Sequence, residues 1–231
     1  MRQAVMPVAA ILLFGSLARA DQSEGSDTDL LMITADDETR HFSVGHLSMF
    51  LYPWLQLKLD AQDGDLFVCH LVREAKAIFD PDGYLLKLRE AFQLRSSYRR
   101  EIAQATDLGW FLARFDGGLN SALRAKRTLW CIRTILIARS AESGDPVFSP
   151  KLLADRSTST FARELLTRRH DPWNTEAVRH CLRLFLEEET TPEPFHKHAD
   201  RVEFIRRFTR TSNKVALQTL QQEERSQAGY V

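Results

Sequence analysis

The sequence predicts an α+β amino-terminal part followed by a part built of helices alone, and three observations predict it. Up to residue 83 short apolar runs alternate with turn signals, as strands do. Beyond the turn Asp80-Pro81-Asp82-Gly83, apolar residues recur only at helical spacing. The third observation is charge: over 231 residues the net charge is zero, yet residues 1–90 hold 8 Lys+Arg against 14 Asp+Glu and residues 91–231 hold 23 against 17. Two domains are therefore expected, 1–90 of mixed sheet with helices and 91–231 all helical.

Composition narrows the class. At 44% hydrophobic the chain can bury a sizeable core, and no apolar run is long enough to span a membrane. Cys69, Cys131 and Cys181 form an odd set without metal-ligand spacing. That pattern fits buried free thiols in a reduced, cytoplasmic setting.

Taken in order, the first informative stretch is Ile11–Ile33. Leu12–Phe14 reads as a buried strand, and Gly15 at its end lets the backbone turn sharply and approach a ligand. Ser16 opens a short helix, where a hydroxyl and unsatisfied backbone N–H groups suit an anion such as phosphate. After a polar loop, a second strand begins near Asp27. Side chains alternate on a strand, so Asp27 and Asp29 share a face while Thr28 and Leu30 share the other. Two neighbouring carboxylates repel each other unless a hard cation sits between them, which points to Mg2+ or Mn2+ bridging to phosphate oxygens. A secretory leader competes as a reading, because Arg2, an apolar core and Ala18-Arg19-Ala20 imitate one. It leaves Ser26–Leu30 without a purpose.

The Gly-Ser turn after a strand, Arg19 shortly beyond it, and Ser26-Asp27-Thr28-Asp29-Leu30-Leu31 resemble the nucleotidyltransferase domain of the DNA polymerase β superfamily. Gly15, Ser16, Arg19, Ser26, Asp27 and Asp29 match that pattern residue by residue over the first third of the chain. The resemblance implies that Asp27 and Asp29 hold divalent metal and are catalytic. It also implies that Gly15, Ser16, Arg19 and Ser26 bind a nucleoside triphosphate.

The same family places a third carboxylate, usually the general base, on the strand that follows. Here His41–Leu47 is the expected strand and Arg40–Met49 contains no acid. Ser43, Gly45 or His46 stands where the acid would be, and His46 can accept a proton near neutrality. Leu47–Leu59 has helical apolar spacing interrupted by Pro53. Asp63 and Asp65 precede a helix in which His70 and Glu74 share a face, so Asp65 and Glu74 are the other candidates for the missing acid or base. Asp65 also fits a helix N-cap.

The carboxy-terminal part is expected to contain helices over Ile102–Phe115, ended by Gly117-Gly118, and over Leu119–Ala138. Others follow over Pro150–Arg168, Asn174–Glu189 and Asp200–Glu224, with a polar tail from Gln221. Lys126 and Arg133 lie on one helix face beside Arg127. Cations there suit phosphate oxygens, although solvated surface charge is the commoner fate of such residues.

The expected activity is Mg-dependent transfer of a nucleoside monophosphate from an NTP to an acceptor hydroxyl. The acceptor (protein, nucleic-acid end, nucleotide or small molecule) is left open by the fold. Small chains of this layout resemble minimal bacterial nucleotidyltransferases, some of which act in toxin–antitoxin or phage-defence pairs, so a partner protein and a homo- or hetero-oligomer are both expectations. The contrasting class is a non-catalytic nucleotide-binding module of the same fold.

Overall fold

Val8–Phe14 and Thr28–Thr34 are apolar enough to bury one face fully and the other in part, and they form adjacent interior strands of a five-stranded sheet, β1 and β2. Leu12, Leu31 and Ile33 are wholly buried there, each worth about 1.5–3 kcal/mol of transfer free energy. The structure is a computed structural model that describes residues 8–22, 25–35, 38–115, 119–168, 175–190 and 194–228. The chain divides into two compact units, Met1–Ser96 and Ser97–Val231.

In the first unit β1 leads into the short helix α1 (Gly15–Arg19) and returns as β2. A hairpin follows, β3 (Arg40–Val44) and β4 (Leu47–Pro53), then α2 (Trp54–Gln62), α3 (Leu66–Glu74), β5 (Lys76–Phe79) and α4 (Tyr84–Ala91). Strand order is β3-β4-β2-β1-β5. Only β2 and β4 pair in parallel; the other neighbours are antiparallel. Both edge strands are short, which limits the unpaired backbone they offer.

Register decides which residues share a face. Asp29, Leu31 and Ile33 stand opposite Phe14, Leu12 and Ala10 on one side, and opposite Ser48, Phe50 and Tyr52 on the other. The apolar members pack with Leu57 and Ala61 of α2, Val68 and Leu71 of α3, and Leu85 and Leu88 of α4. Asp29 and Ser48 close this face at the end where Gly15 begins its turn.

Several expectations change at this point. Leu47–Pro53 is a strand and not the start of a helix, because Gly45-His46 makes a two-residue hairpin turn with Gly45 at φ +57°. Pro53 is then the N-cap of α2, a place where its missing N–H costs nothing. The strand expected over His41–Leu47 ends at Val44. The expected Gly117-Gly118 helix stop lies outside the described residues.

The second unit is wholly helical in its described residues: α5 (Arg99–Arg114), α6 (Ser121–Glu142), α7 (Pro150–Arg156), α8 (Thr160–Thr167), α9 (Thr175–Glu189), α10 (Arg201–Arg210) and α11 (Lys214–Ala228). α5 is its hub, packing on α6, α9 and α10. Gly109 admits the Leu186 side chain of α9, and Phe111 meets Phe204 and Phe208 of α10. Two expected long helices are each broken in two. Ser157 and Ser159 bend the chain between α7 and α8, with the Ser159 hydroxyl accepting from Ala162 N. Between α10 and α11, Ser212 takes φ +50° and Asn213 Oδ1 accepts from Ala216 N. α11 then runs on to Ala228, further than the polar tail suggested. Among the described residues no helix is long and apolar enough to cross a membrane.

Asp65 caps α3, its Oδ1 accepting from Phe67 N at 2.8 Å and Val68 N at 3.1 Å. Asp65→Ala should lower stability by about 1 kcal/mol, whereas Asp65→Asn, which keeps the acceptor, should be nearly neutral. Denaturant midpoints of the two variants check this.

Candidate functional site

The Gly-Ser turn and the Asp-x-Asp strand meet because β1 and β2 pair antiparallel in a register that sets Phe14 opposite Asp29. Gly15 follows with φ +75°, and a Cβ placed on it would fall on Asp29 Oδ2, well inside contact distance. No other residue type combines that backbone conformation with so close an approach. Phe14, at the N-cap of α1, makes no side-chain cap hydrogen bond to the first turn.

Asp27 stands just ahead of β2, its side chain 54% exposed, with Oδ1 3.5 Å from His46 Nδ1. Asp29 is half-buried within the strand. Asp27 itself lies one residue outside the strand. Ser26, half-buried, immediately precedes them. His46 sits in the hairpin turn, and its carbonyl accepts from Thr28 N at 2.7 Å.

The strand register identifies a residue that sequence spacing missed. Ser48 of β4, 8% exposed, is the residue paired with Asp29. Its hydroxyl is 3.4 Å from that of Ser43, which lies 3.3 Å from His41 Nε2, and the His41 ring stacks on Phe50 at 4.2 Å. The signal was the Val44-Gly45-His46-Leu47 hairpin, which shifts the strand beside β2 onward by several residues. Among the described residues no group of three or more His, Cys, Asp or Glu side chains is arranged to hold a metal.

The remaining predicted residues make contacts of their own. Arg19 turns to Asp21 (Nε to Oδ1 3.0 Å) and to Glu74, with which its Nη1 forms a close ion pair. Burial opposes the Arg19 charge, but hydrogen bonds to Asp21 and Glu74 hold its pKa above the ordinary value. Glu74 is shared with His70, whose Nε2 is 2.7 Å from Glu74 Oε2. Asp65 is the α3 cap described above, and Asp63 is the C-cap of α2. Lys126 and Arg133 belong to α6 of the second unit: Lys126 is exposed, and Arg133 Nη2 donates to Phe148 O at 3.4 Å. Arg127 beside them donates to Gln222, and burial lowers its pKa.

The first unit is thus an α+β domain in which a glycine turn abuts the strand that carries Asp29. Residues 1–100 match the family model of the nucleotidyltransferase domain, which supports the polymerase-β-like superfamily for this part of the chain. A crystal structure of a nucleotidyltransferase-like protein from Exiguobacterium sibiricum 255-15 is 16% identical, the overlap covering 80% of this chain and 69% of that one with a TM-score of 0.31. So loose a superposition adds no weight to the family match. No curated protein matches the sequence.

Gly15→Ala should be poorly tolerated, since it combines positive φ with a clash on Asp29. A stability loss of roughly 1–3 kcal/mol is expected from the backbone term alone. Thermal denaturation of Gly15→Ala beside a Gly25→Ala control, where a Cβ would meet open space, checks it: Gly25 also has positive φ, so the excess loss at Gly15 reports the Asp29 contact.

Proposed function

We propose that the first unit transfers a nucleoside monophosphate from a nucleoside triphosphate to an acceptor hydroxyl, in a reducing cytoplasmic setting. The observation that supports this best is the Gly15 backbone lying directly against the Asp29 carboxylate. A triphosphate held by the turn would then have its phosphates beside both acidic side chains.

In this reading the Gly15-Ser16 backbone amides and the Ser16 hydroxyl bind and orient the phosphates. Asp27 and Asp29 supply hard carboxylate oxygens suited to Mg2+ or Mn2+, a cation that keeps some waters and completes its shell from phosphate. Such an ion, when bound, neutralises phosphate charge and aligns attack. The acceptor oxygen bonds to the α-phosphorus, the bond from that phosphorus to the leaving pyrophosphate oxygen breaks, and the acceptor proton leaves to solvent or to a nearby base. Catalysis of this kind rests on positioning and charge stabilisation.

A second reading is favoured by one specific feature. Ser48, not an acid, faces Asp29 on the neighbouring strand, which favours a nucleotide-binding or regulatory module without turnover. Radiolabelled-nucleotide transfer decides between them. With Mg2+, the four NTPs and protein, nucleic-acid and small-molecule acceptors, the enzyme reading predicts label transfer and pyrophosphate release. Asp27→Ala and Asp29→Ala should each cut kcat/KM by roughly a hundredfold or more. Triphosphate binding without pyrophosphate release under any acceptor would establish the binding module instead.

A further inference from the structure

We infer that Arg19 is a positioning residue and not a phosphate ligand: with Glu74 and His70 it fastens α1, the element carrying Gly15 and Ser16, to α3. The inference rests on the reading of Gly15-Ser16 as the triphosphate turn.

α1 has five residues. A helix of that length has no stability of its own and takes its position from its neighbours. Two contacts to α3 supply it, one at each end. At the front, the Phe14 ring meets the His70 ring edge-on at 5.5 Å and the Phe67 ring at 5.7 Å. At the back, Arg19 is ion-paired with Glu74, the last residue of α3. His70 serves both ends, since its Nε2 lies 2.7 Å from Glu74 Oε2 and 3.4 Å from Arg19 Nη1.

The side chains of Arg19, His70 and Glu74 are 14%, 15% and 13% exposed. A half-buried pair of this kind is far more costly to break on one side than to remove altogether, because the remaining charge is stranded. Arg19 Nε donates to Asp21 and Nη1 pairs with Glu74. Turning Nη1 to phosphate would strand Glu74 against His70 alone. Asp21 also ties its own backbone to the helix, its N–H donating to Ser16 O at 3.1 Å.

The placement matters because Gly15 already touches Asp29. Any slide of α1 along α3 changes the distance between the phosphate-binding amides and the carboxylates, and misplacement by about 1 Å can cost roughly a hundredfold in rate. The ion pair thus acts on nucleotide affinity through geometry, without touching the nucleotide.

The test uses the full chain with Arg19→Met, Glu74→Gln and the double variant. Each is titrated calorimetrically with the four α,β-imido nucleoside triphosphates in the presence of Mg2+, and amide hydrogen exchange of residues 15–20 is followed in parallel. A clamp predicts that each single variant speeds exchange in that segment and weakens triphosphate affinity by about tenfold, with the double variant no worse than either single one. Loss of affinity in Arg19→Met with unchanged or tighter binding in Glu74→Gln would overturn it, since that is the behaviour of a phosphate ligand released from a competitor. Unchanged exchange in both single variants would overturn it as well. If the unmodified protein binds none of the four triphosphates, the nucleotide reading falls by itself, and the exchange measurement still decides the clamp.

Discussion

The contact on which the site depends is the one between the Gly15 backbone and the Asp29 carboxylate. It exists because β1 and β2 are paired so that the last residue of one strand stands opposite Asp29 in the other. A glycine with positive φ can then turn the chain over the carboxylate, and any larger residue would have to push it aside. The Gly15-Ser16 backbone and the Asp29 carboxylate are thereby brought together by backbone pairing, the stiffest device a small domain has.

The rest of the first unit supports that contact. Leu12, Leu31 and Ile33, wholly buried in β1 and β2, fix the register, since a slip by one residue would turn them out to solvent and move Asp29 to the other face. α3 is held by its Asp65 cap at one end and offers His70 and Glu74 to α1 at the other. Charges there are spent on placing backbone. The paired carboxylates at the mouth, with Asp27 more than half exposed, remain accessible to a ligand.

Much of this was legible in the sequence because the decisive residues are close together along the chain. The run from Leu12 to Ile33 contains strand, turn, helix and strand in order, as the structure has them. The alternation of elements up to Gly83 and the helical spacing beyond it likewise gave the α+β class with a helical second part. Contacts between distant segments were not legible. Glu74 is 55 residues from Arg19, and nothing local marks it as that cation's partner. Ser48 escapes the sequence for a different reason: Gly45-His46 fits a strand interior by alternation, so Leu47–Leu59 reads as a helix and the pairing of β4 with β2 does not arise. The helix breaks at Ser157–Ser159 and at Ser212 were hidden by apolar spacing that continues in phase on either side, with side-chain caps in place of Gly or Pro.

The most direct measurement is a crystal structure grown with Mn2+ and an α,β-imido nucleoside triphosphate, with the anomalous signal locating the metal. The predicted result is Mn2+ coordinated by Asp27 and Asp29, with triphosphate oxygens on the backbone amides of Gly15 and Ser16. A triphosphate bound away from that turn, or a metal that leaves both carboxylates untouched, would contradict the assignment of the site.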